Sequence, residues 1–201
     1  MSRTSIDDIL QRLQSLQADL EAEIDSLLEE KRQLFRYSIE KGKVRFEQGM
    51  KAFQRHQKIG VWHYLLSAKI THLLTAPVIY SLFIPLLLLD LMASLYQQIC
   101  FRAYKIPLVK RSDYLIIDRQ HLAYLNVIEK INCIYCGYSN GLIEYAREIA
   151  ARTEQYWCPI KHARRSPDPH RLFNNFEDFG NAEHYHKRLQ ELRRDITTRA
   201  G

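Results

Sequence analysis

Three of the four cysteines and one histidine fall in two short stretches, INCIYCGYSN at 131–140 and WCPIKHA at 157–163. Zinc and iron take thiolate and imidazole ligands in a tetrahedron, and two ligands three residues apart can share one metal. Cys133, Cys136, Cys158 and His162 therefore read as a Cys₃His set. Zinc is favoured over iron because nothing in the pattern demands electron transfer. Gly137, directly after the second cysteine, would let the backbone curl and aim N–H groups at the sulfurs. Other chemistries fit the same residues. A Cys-x-x-Cys pair can act as a redox dithiol, although no thioredoxin-like strand pattern surrounds this one. A Cys-Pro dipeptide can offer a thiolate to haem iron, with His162 as second ligand. Plain packing cysteines are the bland alternative.

The elements that must position these residues are helical. Leu122, Leu125, Ile128 and Ile131 mark a helix opening at Asp118, with Gly137 and the Ser139–Asn140–Gly141 triplet expected to break it. A second helix is expected over Leu142–Trp157, stopped by Pro159. That helix raises a difficulty. Rising 1.5 Å per residue, it separates Cys136 from Cys158 by about 25 Å, whereas the ligands of one metal lie within about 4 Å of each other. One site in one chain needs a broken helix, or a second copy of the chain to join the halves. In a hairpin turning near Tyr138, Cys158 returns beside Asp118 and His121, and Cys133 and Cys136 become a separate dithiol. Asn181 is expected to cap a last helix carrying Tyr185, Leu189, Leu192 and Ile196.

NCIYCGYSNG followed by REIAARTEQYWCPIKHARR resembles a family of bacterial membrane-associated proteins with no assigned activity. The likeness runs from the apolar tract below to Arg165. It implies membrane association and a paired cysteine motif, marking Cys133, Cys136, Gly137, Asn140, Gly141, Tyr156, Trp157, Cys158, Pro159 and His162.

That tract is the other outstanding feature. Leu73 to Leu89 is a run of 17 residues without a charge, and crossing Asp90 extends the apolar character to Phe101. A spanning helix needs about 20 such residues. Between 61 and 101 there is one basic and one acidic residue, Lys69 and Asp90. Residues 41–60 carry 6 basic groups against one acidic, and 102–165 carry 11 against 6, so positive charge brackets the tract. This points to anionic membrane lipid as a partner and away from nucleic acid. Basic flanks resist translocation, so a hairpin bent between Pro77 and Pro85, pairing Lys69 with Asp90, competes with a single span. The opening MSRTSIDDILQRLQ is polar and helix-patterned, unlike a signal peptide.

Ahead of the tract, Ser5 and Asp8 resemble a capping box. Ile6, Ile9, Leu13, Leu16, Leu20, Ile24, Leu27 and Leu34 follow at helical spacing, with one shift near Leu20. This suits a long helix, continuing through Phe46, Met50 and Phe53 to Gly60, that forms a coiled coil with a second copy or a partner through residues 6–34.

The chain is therefore expected to be all-α, with a long helix over 1–60, a membrane tract over 61–104 as hairpin or span, and a helical region over 105–201 bearing the cysteine and histidine residues. Its expected location is the bacterial inner membrane, soluble parts facing the cytoplasm. The expected role is a scaffold with a metal-stabilised module. The competing role is a membrane-bound metal- or thiol-dependent redox enzyme, with His121, Glu154 or Tyr156 moving protons. Glu144 and Glu148 lack the Glu-x-x-His partners of a di-iron bundle, and Glu148 reads as an ordinary surface pair with Arg152.

Overall fold

The computed structural model describes residues 2–40 and 43–198. Helix makes up 71% of it, so the helical class holds, with one departure: a small β-hairpin. The chain divides into two compact units, residues 1–60 with 120–126 and residues 61–119 with 127–201.

In the first unit, α1 (Ser2–Leu34) is one uninterrupted helix. It begins upstream of Ser5, which therefore lies inside the helix and is not its cap. The side chains of residues 2–7, Ile6 included, lie outside the described residues. The helix stops at Leu34 and does not run on to Gly60. Arg36 turns the chain at φ 50, and β1 (Tyr37–Glu40) pairs antiparallel with β2 (Lys43–Phe46). The cause is a change of period: Tyr-Ser-Ile-Glu and Lys-Val-Arg-Phe alternate apolar and polar residues, which suits a pleated strand. Tyr37 sits opposite Phe46, their ring centroids 5.6 Å apart. Lys41 and Gly42, between the strands, lie outside the described residues. Within α2 (Gln48–His56), which follows the hairpin, the buried Gln54 accepts a hydrogen bond from the Ala123 N–H at 3.0 Å.

In the second unit, α3 (Val61–Ser67) precedes α4 (Ile70–Ser81) and α5 (Phe83–Tyr96). A π-helical turn (Gln97–Phe101) and the short α6 (Arg102–Tyr104) complete one continuous helix of 35 residues, Ile70–Tyr104. The chain reverses at Lys105, in the left-handed region at φ 59, and returns as an extended segment. It then enters α7 (Val127–Trp157). Along α7, Tyr135 reaches Ile79, Tyr138 reaches Asp90 and Thr153 reaches Tyr96, so α7 runs parallel to α4–α5. The returning segment lies between them, antiparallel to both.

Two glycines make that layer possible. The expected break at Gly137 and Ser139–Asn140–Gly141 does not occur, and α7 passes through all four residues. Gly137 and Gly141 lie one turn apart, on the face that meets the returning segment. A Cβ on Gly141 would stand 2.6 Å from the Tyr114 carbonyl oxygen, and one on Gly137 3.2 Å from that of Ile116. These glycines admit a neighbouring backbone and leave the helix intact. Phe101, Ile106, Val109, Tyr138, Leu142, Tyr145, Ile149 and Ile196 form the core around this layer. α8 (Ala182–Thr198) packs antiparallel on the end of α7, placing Leu192 with Ala151, Leu172 and Phe176 in a second cluster.

Gly141→Ala should therefore destabilise the protein by about 2 kcal/mol, since the opposing atoms are backbone. Gly49→Ala, in α2 with nothing within 4 Å of the new methyl, should be neutral or stabilising by about 1 kcal/mol. Thermal melts of the two variants give the comparison; equal melting temperatures would contradict the close approach.

Candidate functional site

The uninterrupted α7 decides how the cysteine residues are arranged. Cys133 and Cys136 lie one helical turn apart, the first half-buried and the second exposed. Asn140 donates to the Cys136 carbonyl at 2.9 Å, an ordinary intrahelical contact. The helix from Cys136 to Trp157, at about 1.5 Å per residue, spans roughly 30 Å. Cys158 lies beyond its far end, its N–H bonded to the Glu154 carbonyl at 2.9 Å. His162 is exposed, its ring 5.6 Å from that of Phe173. One chain therefore does not bring Cys133 and Cys136 together with Cys158 as the expected Cys₃His set of Cys133, Cys136, Cys158 and His162 would need. Among the described residues no group of three or more His, Cys, Asp or Glu side chains is placed to hold a metal ion. Burial pushes the Cys158 thiol up, and the nearby Glu154 charge adds to this, so it is not a pre-activated thiolate.

The proton-transfer candidates fall in both units. His121 is in the 120–126 stretch of the first unit, while Glu154 is held by His170 Nε2 at 2.9 Å. Tyr156 stacks on Tyr104 at 5.2 Å under the Arg193 guanidinium, 5.0 Å from its ring centroid.

The sequence reading missed two polar clusters in the second unit. Asp90, on the apolar helix, accepts hydrogen bonds from Arg111 at 2.5 Å and Tyr138 at 2.9 Å. Burial, reinforced by the hydrogen bond to Asp90, pushes the Tyr138 phenol up to about 12. Two turns on, the buried Gln97 brackets the Val109 peptide, accepting its N–H at 3.0 Å and donating to its carbonyl at 3.4 Å. Gln97 also donates to the Tyr145 hydroxyl. Farther along α7, Glu148 is 6% exposed and held by Arg152 at 2.8 Å and by both Nε and Nη2 of Arg171. Burial pushes its carboxyl up, but the hydrogen bonds and charges of Arg171 and Arg152 outweigh that and hold it below the usual range. Arg152 also donates to the Pro107 carbonyl at 2.6 Å, locking the start of the returning segment to α7. Glu148 is thus a buried clamp and not a surface pair.

The most exposed chemistry is apolar. Helix Ile70–Tyr104 has a mean hydropathy of 2.1 over its most apolar 18-residue window, none of it buried, and is long and apolar enough to cross a membrane. The hairpin between Pro77 and Pro85 is corrected. Pro77 lies within α4, and Leu82 at the α4–α5 junction keeps right-handed helical angles (φ −63, ψ −15). Lys69 and Asp90 therefore stand roughly 30 Å apart along the helix axis. The ion partner of Asp90 is Arg111. In α1, Ile9, Leu13, Leu16, Leu20, Ile24 and Leu27 are also exposed, an apolar seam uncovered in the single chain. The arginines at the end of α1 and on the hairpin are neutralised locally, Arg32 by Glu29 and Arg45 by Glu40.

Two outcomes follow. Purified Cys158→Ser should hold as much zinc by elemental analysis as the wild type, because α7 holds Cys158 roughly 30 Å from the Cys133–Cys136 pair. Zinc lost equally from Cys158→Ser and Cys136→Ser would show that they share a site. Glu148→Gln should cost about 3 kcal/mol at neutral pH, the scale for breaking a buried ion pair. Because the native carboxyl is depressed, its contribution is present above the unfolded pKa and fades as pH falls through the folded value. The gap between variant and wild type in urea melts should narrow in acid.

No family model matches the chain, and comparison with curated proteins and solved structures found no significant match.

Proposed function

We propose that this is a bacterial membrane-anchored scaffold, facing the cytoplasm, whose anchor is helix Ile70–Tyr104 and whose partner-binding element is α1. The observation that carries this reading is the apolar window with no residue buried. A soluble chain exposing so much contiguous apolar surface would aggregate, and lipid chains cover such a surface at no cost in polar groups. The α1 seam is a second uncovered apolar surface. Its heptad-like spacing suits another helix, and a second copy of α1 is the simplest partner. The Cys133–Cys136 pair has only two thiolates, so a zinc centre there takes its other ligands from a second copy or a partner.

A thiol-redox enzyme is the competing function, favoured by two free thiols one turn apart. Helical neighbours at this spacing hold their Cβ atoms about 5–6 Å apart, whereas a disulfide needs about 3.8 Å, so closing the bond would distort α7. The scaffold reading needs no such distortion.

The test is a full-length Leu13→Asp/Leu16→Asp/Leu20→Asp variant. It should float with anionic vesicles as the wild type does but lose concentration-dependent association in detergent by analytical ultracentrifugation. A wild type that fails to float removes the anchor; a variant that associates like the wild type removes the role of α1.

A further inference from the structure

Helix Ile70–Tyr104 has two different sides. Asp90, Ala93, Ser94, Gln97 and Phe101 face α7 and the returning segment and are half-buried or buried. On the opposite side, Leu74, Ile84, Leu88, Leu91, Leu95 and Ile99 form one exposed ridge, repeating at intervals of three and four after Ile84. At about 1.5 Å per residue the ridge runs for nearly 40 Å. Lys69 precedes it and Arg102 ends it, both exposed.

A crossing helix must place about 20 residues, roughly 30 Å, at the depth of the hydrocarbon, and whatever covers one of its sides goes in with it. Here α7 covers one side from Ile79 onward: the Tyr135 hydroxyl donates to the Ile79 carbonyl at 2.8 Å, and Tyr80 donates to Asn132. Only Ile70–Val78, roughly 14 Å of helix, precedes this contact. One turn before Asn132, α7 carries Glu129 and Lys130. Farther along, Arg111 stands beside Asp90, and Glu144 and Arg147 are on α7. A crossing would draw these charges into the bilayer with the helix.

We infer that helix Ile70–Tyr104 binds along the surface of a single anionic phospholipid leaflet, its ridge among the acyl chains and its α7-covered side toward water. This rests on the membrane reading above and replaces a span with an in-plane anchor. Lys69 and Arg102 then meet headgroup phosphates at the two ends of the ridge, and the flanks on either side of the tract stay on one side of the membrane. The chain-facing side carries a single charge, Asp90, among Ala93, Ser94, Gln97 and Phe101, so the helix looks like a span in sequence although only one side meets lipid.

Full-length protein with its four cysteines changed to Ser takes single Leu74→Cys, Ile84→Cys, Leu91→Cys or Ile99→Cys substitutions, each labelled with an environment-sensitive fluorophore. The vesicles are phosphatidylcholine with about one-third phosphatidylglycerol, carrying nitroxide either near the headgroup or near the chain end. Quenching by the shallow nitroxide should exceed that by the deep one at all four positions, by about twofold. Deepest quenching at Ile84 and Leu91 with shallow ends would establish a crossing and overturn the inference while leaving the membrane reading intact. Flotation without quenching would place a protein surface on the ridge and overturn it too. Failure to float would overturn both readings. Accessibility of Gly60→Cys and Ser112→Cys in cells, with the ridge unaltered, is the independent check: both positions should respond alike to a membrane-impermeant thiol reagent, and opposite responses would establish a crossing.

Discussion

The backbone of Tyr114–Ile116 rests directly on the helical backbone at Gly137 and Gly141, and the second unit is organised around that contact. Parallel helices cannot be joined by a short turn, because the chain must travel back the full length of the first before starting the second. Here the return runs through the groove between α5 and α7. Its peptide groups would lose water there, and Gln97 and Arg152 replace that water at Val109 and Pro107. A methyl group at Gly141 would hold the segment away, loosening the contacts of Ile106 and Val109 with the core.

Charge in this layer is placed where it can be paired. Asp90 interrupts an apolar helix but points to the side where Arg111 and Tyr138 converge. Glu148 is buried deeper and has two guanidinium partners, Arg171 from the irregular stretch after α7 and Arg152 from α7 itself. Buried pairs of this kind add little net stability relative to apolar packing, but removing one partner is expensive, so they specify one arrangement of the elements. Arg111, Arg152 and Arg171 each tie an irregular segment to a helix.

Among the described residues, the seam of α1 and the ridge of helix Ile70–Tyr104 are both uncovered apolar surfaces. They call for different partners. The seam is narrow and follows a heptad-like repeat, flanked by charged residues, which matches a facing helix. The ridge is longer, made of branched aliphatic side chains, with cations only at its ends. Lipid tails accept such a surface without shape complementarity, whereas a protein partner would have to present a matching groove of nearly 40 Å.

Sequence by itself determined the helical class, the long α1, the apolar character of the tract through Asp90 and the last helix, because each rests on composition or periodicity within one continuous stretch; that the tract is one helix and not a hairpin it did not decide. The hairpin at 37–46 was legible in the alternation of Tyr-Ser-Ile-Glu and Lys-Val-Arg-Phe but was hidden by apolar residues that also fit helical spacing at Phe46, Met50 and Phe53. Gly137 and Gly141 were legible as special and misread as breaks, since a glycine that ends a helix and one that admits a neighbouring backbone are the same residue in a sequence. Only the tertiary structure decided that α7 is continuous, and with it that Cys133 and Cys136 stand apart from Cys158 and His162. The partners of Asp90 and Glu148 were likewise beyond local pattern, because Arg111 and Arg171 lie 21 and 23 residues away, each past the end of the helix that carries the carboxylate. Helical spacing fixes which residues share a face; which face meets protein and which is left for lipid depends on where a distant helix docks.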